Sequence, residues 1–288
     1  MSFINRGFGA GHISNFKGEP LTDEQLARLV PAAFATEAHG SRSERYSYIP
    51  TTAVIEGMRR EGFFPVSAKQ GNSRVEGKRE FTKHMIRFRH AGDTGSLKVG
   101  DTLPEVVMVN SHDGTTQYNL MAGLFRIKCL NGLMVADKEL SSVKVPHKGD
   151  IVGQVIEGSY TVLQDSAKAL EAVERWSAID LAPAEAEIMA EAAHVLRFGD
   201  AEGQTDTFIR PAQLLGFRRR DDVGTDLWRT FNRVQENVIR GGVHARGRDA
   251  DGRIRNVTTR EVKGIDADVK LNKALWMLAE GMAKLKAA

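Results

Sequence analysis

The stretch "LPEVVMVNSHDGTTQYNLMAGLFRIKCLNGLMVA" in the middle of the chain limits the possible folds more than any other segment. Its apolar runs are interrupted by two dipeptides that favour tight turns, Asp113-Gly114 and Asn131-Gly132. Short apolar runs joined by such dipeptides are the usual sequence pattern of β-hairpins. We therefore expect antiparallel strands across residues 104–135.

A further strand is predicted in "REFTKHMIRFRH", which precedes this stretch. Successive side chains of a strand point to opposite faces of its sheet. One face then carries Ile86 and Phe88 together with His84. The other face carries three cations, Lys83, Arg87 and Arg89. The predicted sheet contains residues 80–90 together with 104–135.

Helical patterns lie on both sides of the strands. "LTDEQLARLVPAAFA" opens with the capping-box residues Thr22 and Gln25, and the segments after residue 157 carry apolar residues at helical spacing. Strands grouped before helices favour an α+β fold, with an antiparallel β-sheet core flanked by helices and a helical C-terminal part. We divide the chain into a helical N-terminal lead-in (1–40), an α+β core (41–200) and a helical C-terminal region packed on that core (201–288).

The overall composition is that of an ordinary globular protein, with 41% hydrophobic and 27% charged residues. No apolar run approaches the roughly 18 residues that a membrane-spanning helix needs. The N-terminus lacks the basic start and apolar core of a signal peptide. We therefore expect a cytoplasmic protein without membrane contact. The single cysteine, Cys129, excludes an internal disulfide framework and a Cys-cluster zinc site.

Charge is distributed unevenly along the chain, although the formal net charge is only +3. Residues 42–90 hold 11 Lys and Arg against 5 Asp and Glu, whereas residues 164–207 hold 3 against 10. Such asymmetry indicates either a basic working surface with an acidic remainder or a solvated mixed surface.

Two interpretations of His112-Asp113 are open. The pair is either the corner of a hairpin or part of a metal-dependent phosphohydrolase site. The eight histidines are scattered, and none forms an HxxxH or HExxH pair that would place two ligands on one helix face. Because Asp-Gly between apolar strands is a strong hairpin signal, the corner is favoured.

The usual motifs of nucleotide binding and nucleophilic catalysis are missing. "GFGAGH" at residues 7–12 has no strand before it. "GNSRVEGKR" at residues 71–79 has one residue too many between its glycines and places Arg79 where a P-loop needs Ser or Thr. There is no GxSxG. We predict no catalytic residue, no metal and no cofactor.

Positive charges in register remain as the candidate site. Arg126 and Lys128 share one face of their predicted strand, and the cations of residues 80–90 share a face of theirs. Evenly spaced cations suit the phosphates of a nucleic acid backbone, and apolar contacts suit its bases. A solubilising face opposite a core is the alternative. The predicted nucleic-acid-binding residues are Lys83, Arg87, Arg89, Arg126, Lys128, Arg229, Arg233 and Arg240.

Three segments are similar to a known family. "RYSYIPTTAVIEGMRREGFFPV", "VVMVNSHDGTTQYNLMAGLFRIKCLNGLMV" and "FNRVQENVIRGG" resemble, in this order, the phage- and plasmid-related family catalogued as domain of unknown function number 932. This resemblance covers residues 40–280 and implies a mobile-element or prophage setting, without implying an activity.

A second likeness concerns organisation. "YSYIPTTAVIEGMRREGFFPV" is similar in pattern to the entry of the fold of single-strand annealing proteins of the Rad-fifty-two class. That class implies a curved antiparallel sheet, ring or filament assembly, and single-stranded DNA laid along a basic groove. Annealing requires neither metal chemistry nor nucleotide hydrolysis, which agrees with the missing motifs.

These observations favour a non-enzymatic homo-oligomer that binds single-stranded DNA and promotes annealing for a mobile element. The alternative is an anti-restriction or anti-defence protein that acts by protein contact through the acidic segment 164–207. A metal-dependent phosphohydrolase centred on His112 and Asp113 is the third hypothesis.

Overall fold

A computed structural model describes residues 12–14, 19–37, 50–71, 79–91, 102–126, 131–134, 142–199, 209–248 and 251–287. The chain divides into two compact units, Met1–Leu170 and Glu171–Ala288. The boundary lies inside a long helix, whereas the sequence analysis placed the end of the core at residue 200.

The first unit contains a mixed set of strands and helices. Its strands are β1 (His12–Ser14), β2 (Phe63–Gln70), β3 (His84–His90), β4 (Thr102–Asn110), β5 (Tyr118–Arg126), β6 (Asn131–Met134) and β7 (Ser142–Val145). Its helices are α1 (Asp23–Leu29), α2 (Thr51–Arg60) and the first part of α3 (Ile151–Ser177).

The seven strands form one antiparallel sheet in the order β1-β2-β3-β4-β5-β6. The short strand β7 also pairs with β5, along residues 118–121, while β6 pairs with residues 123–126. The predicted α+β fold with an antiparallel sheet is therefore confirmed. The prediction of a turn at Asn131-Gly132 is wrong, because both residues belong to strand β6 and pair with residues of β5.

Local sequence explains where the first helices begin and end. The hydroxyl of Thr22 accepts from the backbone N–H of Gln25 at 3.3 Å, and the Gln25 side chain accepts from the backbone N–H of Thr22 at 3.0 Å, so the predicted capping box at α1 is confirmed. The helix ends before Pro31, which starts a 3₁₀-helix. Helix α2 leads through Gly62, at φ 81°, into β2.

Helix α3 packs closely against the sheet at Gly158. A Cβ atom at this position would lie 2.8 Å from side-chain atoms of both Leu120 on β5 and Val143 on β7. The missing side chain thus lets the helix axis approach the strands. Around this contact the core side chains are fully buried, including Val106, Met108 and Leu124.

The second unit is built on α4 (Pro183–Phe198), α5 (Leu227–Arg240), the hairpin of β8 (His244–Arg248) and β9 (Ile254–Thr258), and α6 (Ile265–Ala287). Helix α5 begins at the N-cap Asp226, whose carboxylate accepts from the backbone N–H of Arg229 at 2.9 Å. An aromatic cluster of Trp176, Trp228, Phe231 and Trp276 forms its core. None of the helices among the described residues is long and apolar enough to cross a membrane.

Candidate functional site

Four buried polar side chains surround the hydroxyl group of Thr51. Thr51, the first residue of α2, places its Oγ1 2.9 Å from Nε2 of His112 and 3.2 Å from Nε2 of His84. Asn110 donates its side-chain N–H to the same oxygen at 3.3 Å, and the Tyr118 hydroxyl lies 3.4 Å away. All five side chains are buried. We call this group the Thr51 cluster.

The hydrogen bonds of the Thr51 cluster fix its protons. His84 Nδ1 lies 3.2 Å from the carbonyl oxygen of Thr82, which accepts only, so the His84 proton is on Nδ1. Nε2 of His84 then accepts the single proton of the Thr51 hydroxyl. The two remaining lone pairs of that hydroxyl accept from His112 Nε2–H and from Asn110. His84 is therefore neutral in this arrangement.

Burial keeps these histidines neutral over most of the pH scale. It lowers the pKa of His84 from 6.5 to about 4. Burial, with the neighbouring His84 and His147, lowers the pKa of His112 from 6.5 to about 3. The pKa of His147 is also lowered by burial. With these pKa values, both His84 and His112 are neutral at pH 7, and their rings belong to a buried hydrogen-bonded cluster.

His112 belongs to a hairpin corner, as the sequence indicates, but it is not a surface turn residue. It follows β4 with 0% of its surface exposed, and its ring centroid lies 5.5 Å from that of His84. Asp113 supports the turn by accepting from the backbone N–H and the hydroxyl of Thr115, at 3.0 and 2.7 Å. Within the described parts of the chain, no three His, Cys, Asp or Glu side chains are placed to hold a metal ion.

The two arginines of β3 form ion pairs inside the protein. Arg87 donates from Nε to Glu105 Oε2 at 2.5 Å, and Arg89 donates from Nε to Glu105 Oε1 at 2.8 Å. The three side chains are 5%, 3% and 1% exposed. One carboxylate of β4 thus neutralises much of the charge that the sequence analysis assigned to DNA. The expectation that this face is an open basic surface is wrong.

Strand register also separates the predicted cations. Arg87 pairs with Val107, which pairs with Met121, so these three side chains share a face. Arg126 pairs with Thr102, five positions before Val107, and therefore points to the opposite face. Arg126 is also buried. Lys83 lies before β3 and is half-buried, and Lys128 lies outside the described residues.

The three arginines predicted on α5 all bind groups of the same unit. Arg229 pairs with Asp226 at 2.5 Å, and Arg240 pairs with Glu236 at 3.3 Å. Arg233 donates to the hydroxyl of Thr230 at 2.9 Å. Of the two ion-paired arginines, Arg229 has the more exposed side chain, at 47% against 34% for Arg240.

The motif "FNRVQENVIRGG" serves mainly to hold the second unit together. Glu236 binds both terminal nitrogens of Arg219, at 2.5 and 2.7 Å. Desolvation acts to raise the pKa of Glu236, but the arginines around it, Arg219 first, hold that pKa below its usual value. Gln235 donates to the side chain of Asn272 on α6 at 2.8 Å. These polar residues of α5 are buried and engaged, so they are not available to a ligand.

An exposed polar surface that carries Arg246, and that the sequence did not assign, lies on the β8–β9 hairpin. The register pairs Arg246 with Asn256 and His244 with Thr258, so these four side chains share one face. All four are exposed. We call this face the basic ribbon. The sequence left this segment as either a loop or a hairpin, and the cations at alternate positions of "HARGR", before the Asp251-Gly252 turn, were the available signal.

An open cavity lies between the basic ribbon and the 3₁₀-helix Pro211–Leu215. Its volume is about 550 Å³. Arg210 and Arg246 are exposed, and neither forms an ion pair with a described acidic side chain. We call it the ribbon cavity, and it is lined by Arg210, Gln213, His244, Ala245, Arg246 and Asn256.

Residues 38–276 match the family described as "Domain of unknown function (DUF932)". The chain belongs to the DUF932 family. It is similar to the UPF0380 proteins YafZ and YfjQ of Escherichia coli strain K12, at 44% identity to each. The two alignments span 98% and 97% of this chain and the same shares of the relatives. No solved structure matches this DUF932 chain.

Proposed function

We propose that this DUF932 protein binds single-stranded DNA and promotes annealing for a mobile element or prophage, without chemistry and as a homo-oligomer. The observation that carries the proposal is the ribbon cavity. Its two guanidinium groups, on Arg210 and Arg246, are exposed and lack an acidic partner among the described residues. Such groups remain able to neutralise phosphates.

The contrast with the sheet supports this placement. Removing Arg87 and Arg89 from Glu105 would leave a buried carboxylate without a cation, which costs several kcal/mol. A ligand phosphate would have to offset that cost. No such cost arises at Arg246, because its side chain is already solvated. Arg229 on α5 is a weaker contact point in the proposal, because its half-exposed side chain is paired at 2.5 Å with the buried carboxylate of Asp226.

The annealing part of the proposal rests on sequence likeness. The segment "YSYIPTTAVIEGMRREGFFPV", which contains α2, is similar in pattern to the entry of the fold of the Rad-fifty-two class, and strands of an antiparallel sheet follow it. Annealing needs phosphate neutralisation with the bases left free to pair. The described lining has no Phe, Tyr or Trp, which suits that requirement, because the ribbon then holds the backbone with little stacking on the bases.

A protein-contact function, such as anti-restriction or anti-defence activity, is the second candidate. It is supported by an exposed strip of α4 that combines apolar and acidic residues. Ile188 and Val195 are 61% and 49% exposed there, and Glu187 and Glu191 are exposed beside them. Apolar side chains of this size on a surface are a common feature of protein contacts.

A salt titration separates the two candidates. We expect the purified protein to bind labelled oligothymidylate at low salt. The log of the affinity should fall linearly with log salt, by about 0.7 for each phosphate neutralised. Complementary oligonucleotides should anneal faster in its presence, and negative-stain images with DNA should contain rings or filaments. Absence of DNA binding even at low salt would overturn the proposal and favour the protein-contact function.

A further inference from the structure

The ribbon cavity has a rigid frame. Gln213 donates from its side-chain amide to the carbonyl oxygen of His244 at 2.7 Å and accepts from the backbone N–H of Arg210 at 2.8 Å. One glutamine therefore joins the start of the 3₁₀-helix to the first strand of the hairpin. Arg210 and Arg246 come from these two joined elements, so their positions are fixed relative to each other at the backbone.

The base of the hairpin is closed by further hydrogen bonds. Gly242 donates its N–H to the carbonyl oxygen of Thr259 at 2.8 Å, and Thr259 donates to that of Val243 at 2.9 Å. Gly241, at φ 65°, makes the approach possible, because a Cβ there would lie 2.6 Å from the Thr259 carbonyl oxygen. The chain that leaves α5 is thus fixed before it enters β8.

The side chains that line the cavity suit an anionic ligand that also carries hydrogen-bond donors and acceptors. Two guanidinium groups present forked N–H donors, the geometry that binds phosphate oxygens in pairs. The Asn256 amide on the same face offers both a donor and an acceptor. Among the described residues, the lining contains no acidic side chain and no Phe, Tyr or Trp, and the imidazole of His244 is its one aromatic ring. Its volume of about 550 Å³ lies in the range of small-ligand sites.

We infer that the ribbon cavity binds one nucleotide unit of a single strand, with its phosphodiester between Arg210 and Arg246 and a polar edge of its sugar or base at Asn256. This inference rests on the proposed function and deepens it by assigning the contact to one site. The phosphate, rather than base stacking, provides the attraction. Binding at this site is therefore salt-dependent and tolerant of base sequence.

The test is a salt titration of oligothymidylate binding with the variant R210Q/R246Q. Because two phosphate contacts of about 0.7 each are removed, the slope of log affinity against log salt should flatten by about 1.4. The single variants should each give about half of that change. The control is R60Q, which makes the same charge change at a residue of the first unit whose side chain is 78% exposed. Its slope should equal that of the unmodified protein, and all variants should keep the unmodified thermal midpoint.

The outcomes separate the site from the function. An unchanged slope in R210Q/R246Q, while the unmodified protein binds, would overturn the inference and leave the proposed function standing. Equal flattening in R60Q would also overturn the inference, because the effect would then be one of overall charge. Tighter, cavity-dependent binding of a duplex of the same length would overturn the assignment to a single strand. No binding by the unmodified protein would overturn both.

Discussion

His84 and His112 direct their Nε2 atoms at the same oxygen, the hydroxyl of Thr51, from which they lie 3.2 and 2.9 Å away. One imidazole accepts the hydroxyl proton and the other donates to the oxygen, so the two rings must carry their protons on different nitrogens. Strand β3, the turn that follows β4 and the start of α2 are thereby joined through a single atom.

Replacing Thr51 by Val should destabilise the protein strongly, because valine keeps the shape and removes the shared hydroxyl. Each buried group left without a partner costs about 1–3 kcal/mol. T51S keeps the hydroxyl and should lose only about 1 kcal/mol for the buried methyl group. Urea unfolding of both variants measures the difference. Equal stability of T51V and the unmodified protein would contradict the hydrogen-bond assignment.

Acid should destabilise the protein through the same histidines. Their pKa values fall from 6.5 in the unfolded chain to about 4 for His84 and about 3 for His112 in the fold. Because the folded values are lowered, the unfolded state binds more protons below pH 6.5, and stability is lost as the pH falls. Between about pH 6 and pH 5 the free energy of unfolding should decrease by up to about 1.4 kcal/mol per pH unit for each histidine.

Urea unfolding at several pH values measures this dependence, with H84Q as the matched variant. Glutamine does not titrate, so the loss of stability per pH unit should be smaller in H84Q. A stability that is constant from pH 6.5 to about pH 5 in the unmodified protein would be incompatible with two buried neutral histidines.

His112→Ala should lower the free energy of unfolding by about 2–4 kcal/mol, through the lost hydrogen bond and the cavity that the ring leaves. If His112 were only an exposed turn residue, as the sequence pattern alone suggests, the same substitution would leave the free energy of unfolding almost unchanged. His112→Gln keeps a donor near the Nε2 position and should recover part of the loss. Metal analysis of the same samples tests the phosphohydrolase hypothesis: a stoichiometric metal that disappears in His112→Ala would establish a metal centre.

Glu105→Gln should cost about 3–5 kcal/mol, because it leaves Arg87 and Arg89 buried without their shared carboxylate. Glu56→Gln is the control. It removes the same charge from a side chain that is 64% exposed and 3.9 Å from Arg60, and it should change stability by less than about 0.5 kcal/mol. Similar unfolding midpoints for the two variants would mean that the Glu105 network is not structural.

Gly241→Ala and Gly252→Ala separate two effects at positive φ. Both residues have left-handed φ values, 65° and 76°. A Cβ at Gly252 meets no atom within 4 Å, whereas one at Gly241 meets the backbone of Thr259 and Arg260. Gly252→Ala should therefore cost only about 1–2 kcal/mol of backbone strain. Gly241→Ala should cost more and should weaken DNA binding by displacing the hairpin. Equal stability of the two variants would contradict the close approach.

Sequence patterns were sufficient for some elements of this fold, although not for β6 at Asn131-Gly132 or for the β8–β9 hairpin. Alternation in "HMIRFRH" correctly placed Arg87 and Arg89 on one side of β3, and Asp113-Gly114 correctly marked the hairpin that joins β4 and β5. These features depend on residues that are neighbours along the chain. Their local chemistry determines them, so they can be predicted without knowing the tertiary structure.

The site could not be predicted in the same way. Whether Arg87 and Arg126 share a face depends on the pairing register, and a shift of one residue reverses the answer. Whether Arg87 is exposed depends on Glu105, which lies on the next strand and is 18 positions away. Likewise, nothing in the spacing of Thr51 and His112, 61 positions apart, indicates that they touch.

The short strands at the two sides of the sheet limit how copies of this protein can join. The sheet ends in β1, with 3 residues, on one side and in β6 and β7, with 4 residues each, on the other. A second copy that added a strand at one of these described edges would gain only a few backbone hydrogen bonds. Short edge strands of this kind oppose edge-to-edge aggregation. A homo-oligomer of this chain is therefore not expected to form one continuous intermolecular sheet through these described edges of the seven-stranded sheet.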